Sequence, residues 1–162
     1  AQSELISFYD ERGLLLKNID STENSYNKTE FEYEKGKVKL IRFFTRADDD
    51  SGGITEIREY FYNATGKPEK MVRKKNNAEV STLNFTTDEK GNIIEEQEFV
   101  KGAAGKKYLY YYDEKNRLTD VVHFNERAKK LLPDYIYEYN PAGQIKQLIS
   151  TEEGSNNNFI WR

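Results

Sequence analysis

Apolar and polar residues alternate along this chain in short runs, as in Phe31-Glu32-Tyr33, Tyr60-Phe61-Tyr62 and Tyr137-Glu138-Tyr139. Side chains of a β-strand point alternately to opposite faces, so this period of two predicts strands with two unlike faces. Each run stops at a polar cluster with a glycine, or once an asparagine, at a fixed offset: Asp10 to Gly13, Asn63 to Gly66, Asp88 to Gly91, Asp113 to Asn116, Asn140 to Gly143, and a shorter Glu34 to Gly36. Two positions beyond stand Leu15, Val38, Pro68, Ile93, Leu118 and Ile145. The unit recurs about every 26 residues, which makes six hairpin copies.

The turn chemistry fits hairpins. Asn140-Pro141-Ala142-Gly143 has the residues a type I turn prefers at its first, second and fourth positions. A three-residue hairpin loop is such a turn followed by a residue at positive φ. Glycine tolerates that region, and asparagine, here Asn116, is the best substitute. The copy at Glu34-Lys35-Gly36-Lys37 is one residue shorter, yet it still sets Tyr33 opposite Val38 just as the longer loop sets Tyr112 opposite Leu118. A one-residue slip flips every side chain, so the register is specified.

Two columns precede the turns. Tyr9, Tyr33, Tyr62, Thr87, Tyr112 and Tyr139 sit immediately before the Asp or Asn, and Ser7, Phe31, Tyr60, Phe85, Tyr110 and Tyr137 sit two residues earlier. Both share a face, and the expectation is a covered aromatic stripe with Tyr110 and Tyr137 in the core. The opposite face mixes Glu32, Thr86 and Glu138 with Phe8, Phe61 and Tyr111, as a partly wet surface does. Pro68 lacks a ladder donor and is expected at a strand start or a non-bonded position. The segments 45–53, 74–80, 100–107 and 151–158 read as loops by composition. Residues 159–162, Phe-Ile-Trp-Arg, read as the first strand of a seventh copy.

The expected fold is therefore all-β: an antiparallel meander of serial β-hairpins, about 12 strands in an extended, twisted or curled sheet. Residues 1–162 are expected to form one repeat domain with a terminal strand, or a fragment of a longer array.

The segments YYYDEKNRL, SFYDERGLL and YEYNPAGQI resemble the YD repeats of the rearrangement-hotspot (RHS) family, with the pattern Y-x-Y-D-x-x-G-R-L, over roughly residues 5–150. Tyr112, Asp113, Arg117 and Leu118 match it; Thr87 and Glu34 depart from it. The resemblance implies hairpins laid side by side in a strip, in a secreted, periplasmic or surface protein of a bacterium, with carbohydrate or partner binding. The largest members enclose a toxic cargo, for which this chain is too short.

Composition narrows the classes further. With 25 basic and 28 acidic residues interspersed, there is no basic excess to track a nucleic acid. No apolar run approaches a membrane span. The absence of cysteine excludes disulfides, thiolate metal sites and thiol nucleophiles. The opening Ala-Gln-Ser fits a processed secretory chain and fits a trimmed one equally.

Candidate chemistry is sparse. His123 is the one histidine, and on a strand after Val122 it reads as a sheet residue more than a base. Glu95, Glu96 and Glu98 offer a carboxylate pair for glycoside hydrolysis, but surface strands carry many such pairs. Asp48-Asp49-Asp50 lack the alternating ligands of a calcium loop and read as solvated. The sequons at Asn27, Asn63 and Asn84 matter only in a eukaryotic secretory pathway. Exposed aromatics have more reach: Tyr111, Phe61, Trp161 and Phe159 are the candidates for ligand or partner contact. The expectation is a non-catalytic protein without cofactor or metal. Its role is structural, or self-association or protein contact through a sheet edge. A carbohydrate-binding module is the second reading and a small hydrolase the weakest.

Overall fold

The computed structural model describes residues 3–47, 53–151 and 158–161, the side chains of residues 47 and 158–161 excepted. It is all-β among these residues. Thirteen strands follow one another in chain order in an antiparallel meander: β1 (Glu4–Tyr9), β2 (Leu15–Thr22), β3 (Ser25–Glu34), β4 (Lys37–Ala47), β5 (Ile54–Tyr62), β6 (Pro68–Lys75), β7 (Ala78–Thr87), β8 (Ile93–Val100), β9 (Ala103–Tyr112), β10 (Leu118–Asn125), β11 (Lys130–Tyr139), β12 (Ile145–Thr151) and β13 (Asn158–Trp161). Two compact units divide the chain, residues 1–83 and 84–162.

The expected turns are present. Gly13, Gly66, Gly91 and Gly143 have φ between 80° and 88°, and Asn116 has φ 64°. Tyr33 pairs with Val38 and Tyr112 with Leu118, so the short and long loops give the same pairing. The short loop places both Lys35 (φ 51°) and Gly36 (φ 77°) at positive φ, the two-residue solution for a hairpin. Pro68 opens β6, where its missing N–H costs no ladder bond.

A feature the alternation does not reveal is a bulge three residues past the turn glycine or asparagine in five of these hairpins. Phe8 faces Lys17 and Tyr9 faces Leu15, leaving Leu16 unopposed. Lys39, Glu69, Thr119 and Lys146 are left out in the same way. Bulges increase the local twist, so these five hairpins are each twisted beside the turn.

Two loop expectations are corrected. Residues 74–80 and 100–107 are mostly strand, joined by two-residue turns at Asn76-Asn77 and Lys101-Gly102, all at positive φ. Their polar composition reflects exposed strand positions, and Asn-Asn and Lys-Gly are hairpin chemistry. In the other two segments, Thr45–Ala47, Thr151 and Asn158 are strand.

The expected aromatic core is also corrected. Tyr110 and Tyr137 are half-buried, and no described side chain is below 2% exposure. The buried residues are Met71 and Val72 in β6 and Ser81 in β7, and, in the second unit, Val121, His123 and Asn125 at alternate positions of β10. A single sheet layer buries each ring against its strand neighbours but not beneath a second layer.

Candidate functional site

The motif side chains converge at the turn edge. In each long turn the first residue bonds back to its own backbone. Asp113 Oδ1 accepts the N–H groups of Lys115 and Arg117, both at 2.9 Å. Asp10 takes those of Arg12 and Leu14, and Asn63 those of Thr65 and Lys67. Asp88 and Asn140 cap Asn92 and Gln144. These bonds hold the pKa values of two of the aspartates down. The Arg117 backbone N–H and side chain hold Asp113 below the ordinary value of 3.8, and the Asn92 side-chain amide chiefly does so for Asp88.

Four column tyrosines, two in each unit, bond their hairpin to the one before it. Tyr33 Oη donates to the carbonyl of Leu15 at 2.8 Å, and Tyr62 Oη to Val38 at 2.6 Å. In the second unit, Tyr112 Oη donates to Ile93 at 2.7 Å and Tyr139 Oη to Leu118 at 2.6 Å. The acceptor is the aliphatic residue two past the turn glycine, or past Asn116 in the copy that has asparagine there. Desolvation raises the Tyr62 and Tyr112 phenols above their ordinary value of 10.0.

The residue just after the turn glycine adds a second link. The Lys37 ammonium lies 5.2 Å from the Tyr62 ring centre and donates to the Gly66 carbonyl. The Arg117 guanidinium stacks 4.3 Å from the Tyr139 ring centre while gripping Asp113 Oδ2 through Nε and Nη2, both at 2.8 Å. Asn92 and Asn116 exchange side-chain amide bonds across neighbouring turns. The tyrosine, aspartate, glycine and arginine positions of the Y-D-x-x-G-R-L pattern, and the carbonyl of its leucine, thus have structural tasks. The pattern of residues located these positions. The hydroxyl bonds escaped it, although the column's use of tyrosine rather than phenylalanine in five of six copies is the signal.

The aromatic candidates fare differently. Tyr111 is 48% exposed. Phe61 is half-buried, with Lys39 and Lys70 ammoniums 5.0 and 4.8 Å from its centre, which occupies the ring faces that sugar stacking needs. It borders a groove of about 320 Å³ with Lys35, Lys37, Tyr60 and Tyr62. Phe61 belongs to the first unit; Tyr111, Phe159 and Trp161 belong to the second. Phe159 and Trp161 lie in β13, paired with Ser150 and Leu148, and their side chains are outside the described set.

His123 is 7% exposed, and its Nδ1 meets Asp134 Oδ2 at 2.7 Å. Pro133 explains the meeting: the β10–β11 register shifts there, leaving Asp134 unopposed and re-aimed at the ring. The adjoining cavity, about 560 Å³, is lined by Gly105, Lys106, Lys107, Phe124, Asn125, Glu126 and Arg127 beside His123, with no hydroxyl nucleophile among them. Of the three glutamates, Glu95 pairs with Lys107 at 2.9 Å, Glu96 accepts the Tyr110 hydroxyl, and the Glu98 side chain lies over Gly105. Burial, and secondarily Glu96, raise the Tyr110 phenol far above its ordinary value. Asp48, Asp49 and Asp50 lie outside the described residues. No metal-holding cluster of His, Asp and Glu occurs among the described residues, and no described helix is long and apolar enough to cross a membrane.

No family model matches the chain, and no curated protein does. Solved structures do. One is the TcdB2-TccC3-Cdc42 structure, at 14% identity and TM-score 0.47 over 98% of this chain. This chain spans about a tenth of that one, 10% of its length. Another is a porin-like protein from Bacteroides uniformis, at 11% identity and TM-score 0.49, over 98% of this chain and 86% of that one.

Proposed function

We propose that this chain is a non-catalytic YD-type repeat protein, secreted or on the surface of a bacterium, that acts structurally and by protein contact through a strand edge. The carrying observation is where the motif residues go. Asp113, Arg117 and the column tyrosines Tyr33, Tyr62, Tyr112 and Tyr139 are consumed by turn capping and hairpin-to-hairpin bonds. What the repeat leaves available is edge backbone. The first strand, β1, has one neighbour in the strand order, and all six of its residues are exposed. Such an edge is a template for another strand unless charge or proline blunts it, and Leu5, Ile6, Phe8 and Tyr9 do not.

Sedimentation velocity over a wide concentration range tests this on the intact chain, on a chain lacking residues 157–162, and on Ile6→Lys. Association altered by either edge change supports the reading. A strictly monomeric intact chain at high concentration ends it.

The exposure of Tyr111 favours carbohydrate binding as a second reading, the ring lying free for stacking on a sugar. A glycan-array signal abolished by Tyr111→Ala would put that reading first.

A further inference from the structure

The cations of this sheet divide by partner. Lys28, Lys74, Lys107 and Lys129 each pair with a glutamate, and Arg117 pairs with Asp113. Three lysines that stand together in the first unit rest on neutral groups instead. Lys39 and Lys70 hold their ammoniums 5.0 and 4.8 Å from the centre of the Phe61 ring, and both are half-buried. Lys37 bonds to the Gly66 carbonyl beside the Tyr62 ring. Among the described residues no acid pairs with any of the three.

The repeat itself accounts for the missing acid. In the β9–β10 turn, Arg117 follows the turn asparagine and is neutralised by the aspartate that opens the turn. Lys37 holds the same place after Gly36. The acid of its shorter turn is Glu34, which makes no ion pair among the described residues, and the next turn opens with the neutral Asn63. The cation is kept here and its partner is not.

These lysines face one opening. β4 and β5 pair from Thr45 and Ile54 as far as Leu40 and Glu59. Beyond that pair their ends line the groove of about 320 Å³ through Lys37, Lys39, Tyr60, Phe61 and Tyr62, together with Lys35 of the turn. Glu34 is the one acid on its wall. Lys70, opposite Phe61 on β6, adds a fourth ammonium.

Four ammoniums against one carboxylate call for a multiply charged anion. An ammonium is a compact point charge that suits phosphate oxygens, whereas the planar fork that matches a carboxylate belongs to arginine. No arginine lines this groove. A phosphate monoester carries about −1.5 to −2 charges at neutral pH, so two adjacent phosphates balance the site. We infer that the groove binds a small soluble ligand carrying adjacent phosphate groups, held by Lys35, Lys37, Lys39 and Lys70. The Phe61 ring fixes two of the ammoniums, which leaves less side-chain freedom to lose on binding. With lysines on its faces, Phe61 does not offer itself to a lipid surface, and a groove of this size sits at the small end of ligand sites. The site is separate from the strand-edge contact and does not depend on it.

Calorimetric titration of the intact chain with tripolyphosphate tests it, with circular dichroism checking the fold of each variant. One equivalent should bind, more weakly as salt is raised. The double variant Lys39→Gln/Lys70→Gln should weaken binding about tenfold or more, and Lys37→Gln about three- to tenfold. Phe61→Leu keeps every charge but frees the two ammoniums, and should weaken binding about threefold. Lys28→Gln removes the same charge from an acid-paired position of the same unit, and should change it by less than about twofold. Equal losses in Lys28→Gln and Lys37→Gln would mean that overall charge and not the groove attracts the anion, and the inference fails. Citrate bound as tightly as tripolyphosphate would overturn the choice of phosphate. Sedimentation with phosphatidylglycerol vesicles, without any heat from tripolyphosphate, would overturn the choice of a soluble ligand. None of these results touches the strand-edge reading, which stands or falls on association.

Discussion

A single hydroxyl distinguishes tyrosine from phenylalanine, and in this repeat it has a fixed acceptor. A net intramolecular hydrogen bond contributes about 0.5–1.5 kcal/mol, so Tyr112→Phe should destabilise by that amount in urea unfolding. Tyr9→Phe, on the exposed strand, should leave the midpoint of a dilute sample unmoved. No loss in Tyr112→Phe would show that the ring and not the hydroxyl carries the column's contribution. The turn glycines are a second case. Gly91 has φ 88°, and a Cβ added there would meet nothing within 4 Å, so strain alone sets the cost of a side chain. Gly91→Val should cost about 1–2 kcal/mol, read from the same unfolding curves, and an unmoved midpoint would contradict the left-handed turn. Asn116→Gly relieves φ 64° but removes the amide exchange with Asn92, so the two effects offset.

The hairpin was the most legible element. Alternation gave its strands, the Asp-to-Gly offset its turn, and the one-residue deletion at Glu34–Lys37 its register. The bulges were not legible, because Leu16, Lys39, Glu69, Thr119 and Lys146 share no chemistry that marks an extra residue. The two-residue turns at Asn76-Asn77 and Lys101-Gly102 were hidden by their polar flanks. Of the candidate site, the columns were visible and their inter-hairpin bonds were not, since an acceptor carbonyl leaves no trace in a side-chain pattern. The buried His123–Asp134 pair depends on a bulge at Pro133, which no spacing rule anticipates. The hairpin also carries an acid response. Asp88 and Asp113 have folded values below 3.8, so they contribute stability that is present above that pH and is lost as pH falls through their lowered values. Asp113→Asn keeps a cap of the kind Asn63 and Asn140 provide without a titrating group. The variant should therefore show a shallower fall in urea midpoint below about pH 4 than the parent. An identical acid slope would place the response elsewhere.

At the scale of the whole molecule, repeats that touch only their chain neighbours sum their stabilities, so a property of one column is multiplied along the chain. Tyrosine ionisation is such a property. Desolvation comes first among the causes that raise Tyr62, Tyr110, Tyr112 and Tyr137 above 10.0, spread over both units. A group whose value is raised on folding contributes stability fully present below its unfolded value and lost as pH rises toward its folded one. The unfolded chain therefore releases protons from about pH 10 that the folded chain retains, and stability falls above that pH. The urea midpoint should be flat with respect to these phenols up to about pH 9.5 and then decline steeply, while absorbance at the phenolate band shows a late-titrating class in the folded state. Tyr110→Phe tests the assignment best, because Tyr110 is raised furthest and its hydroxyl meets Glu96. It should lower the midpoint at neutral pH and make the alkaline decline shallower. A variant that kept the full slope would mean that the half-buried rings titrate as freely as those in solvent, and that the sheet surface over them is open to water.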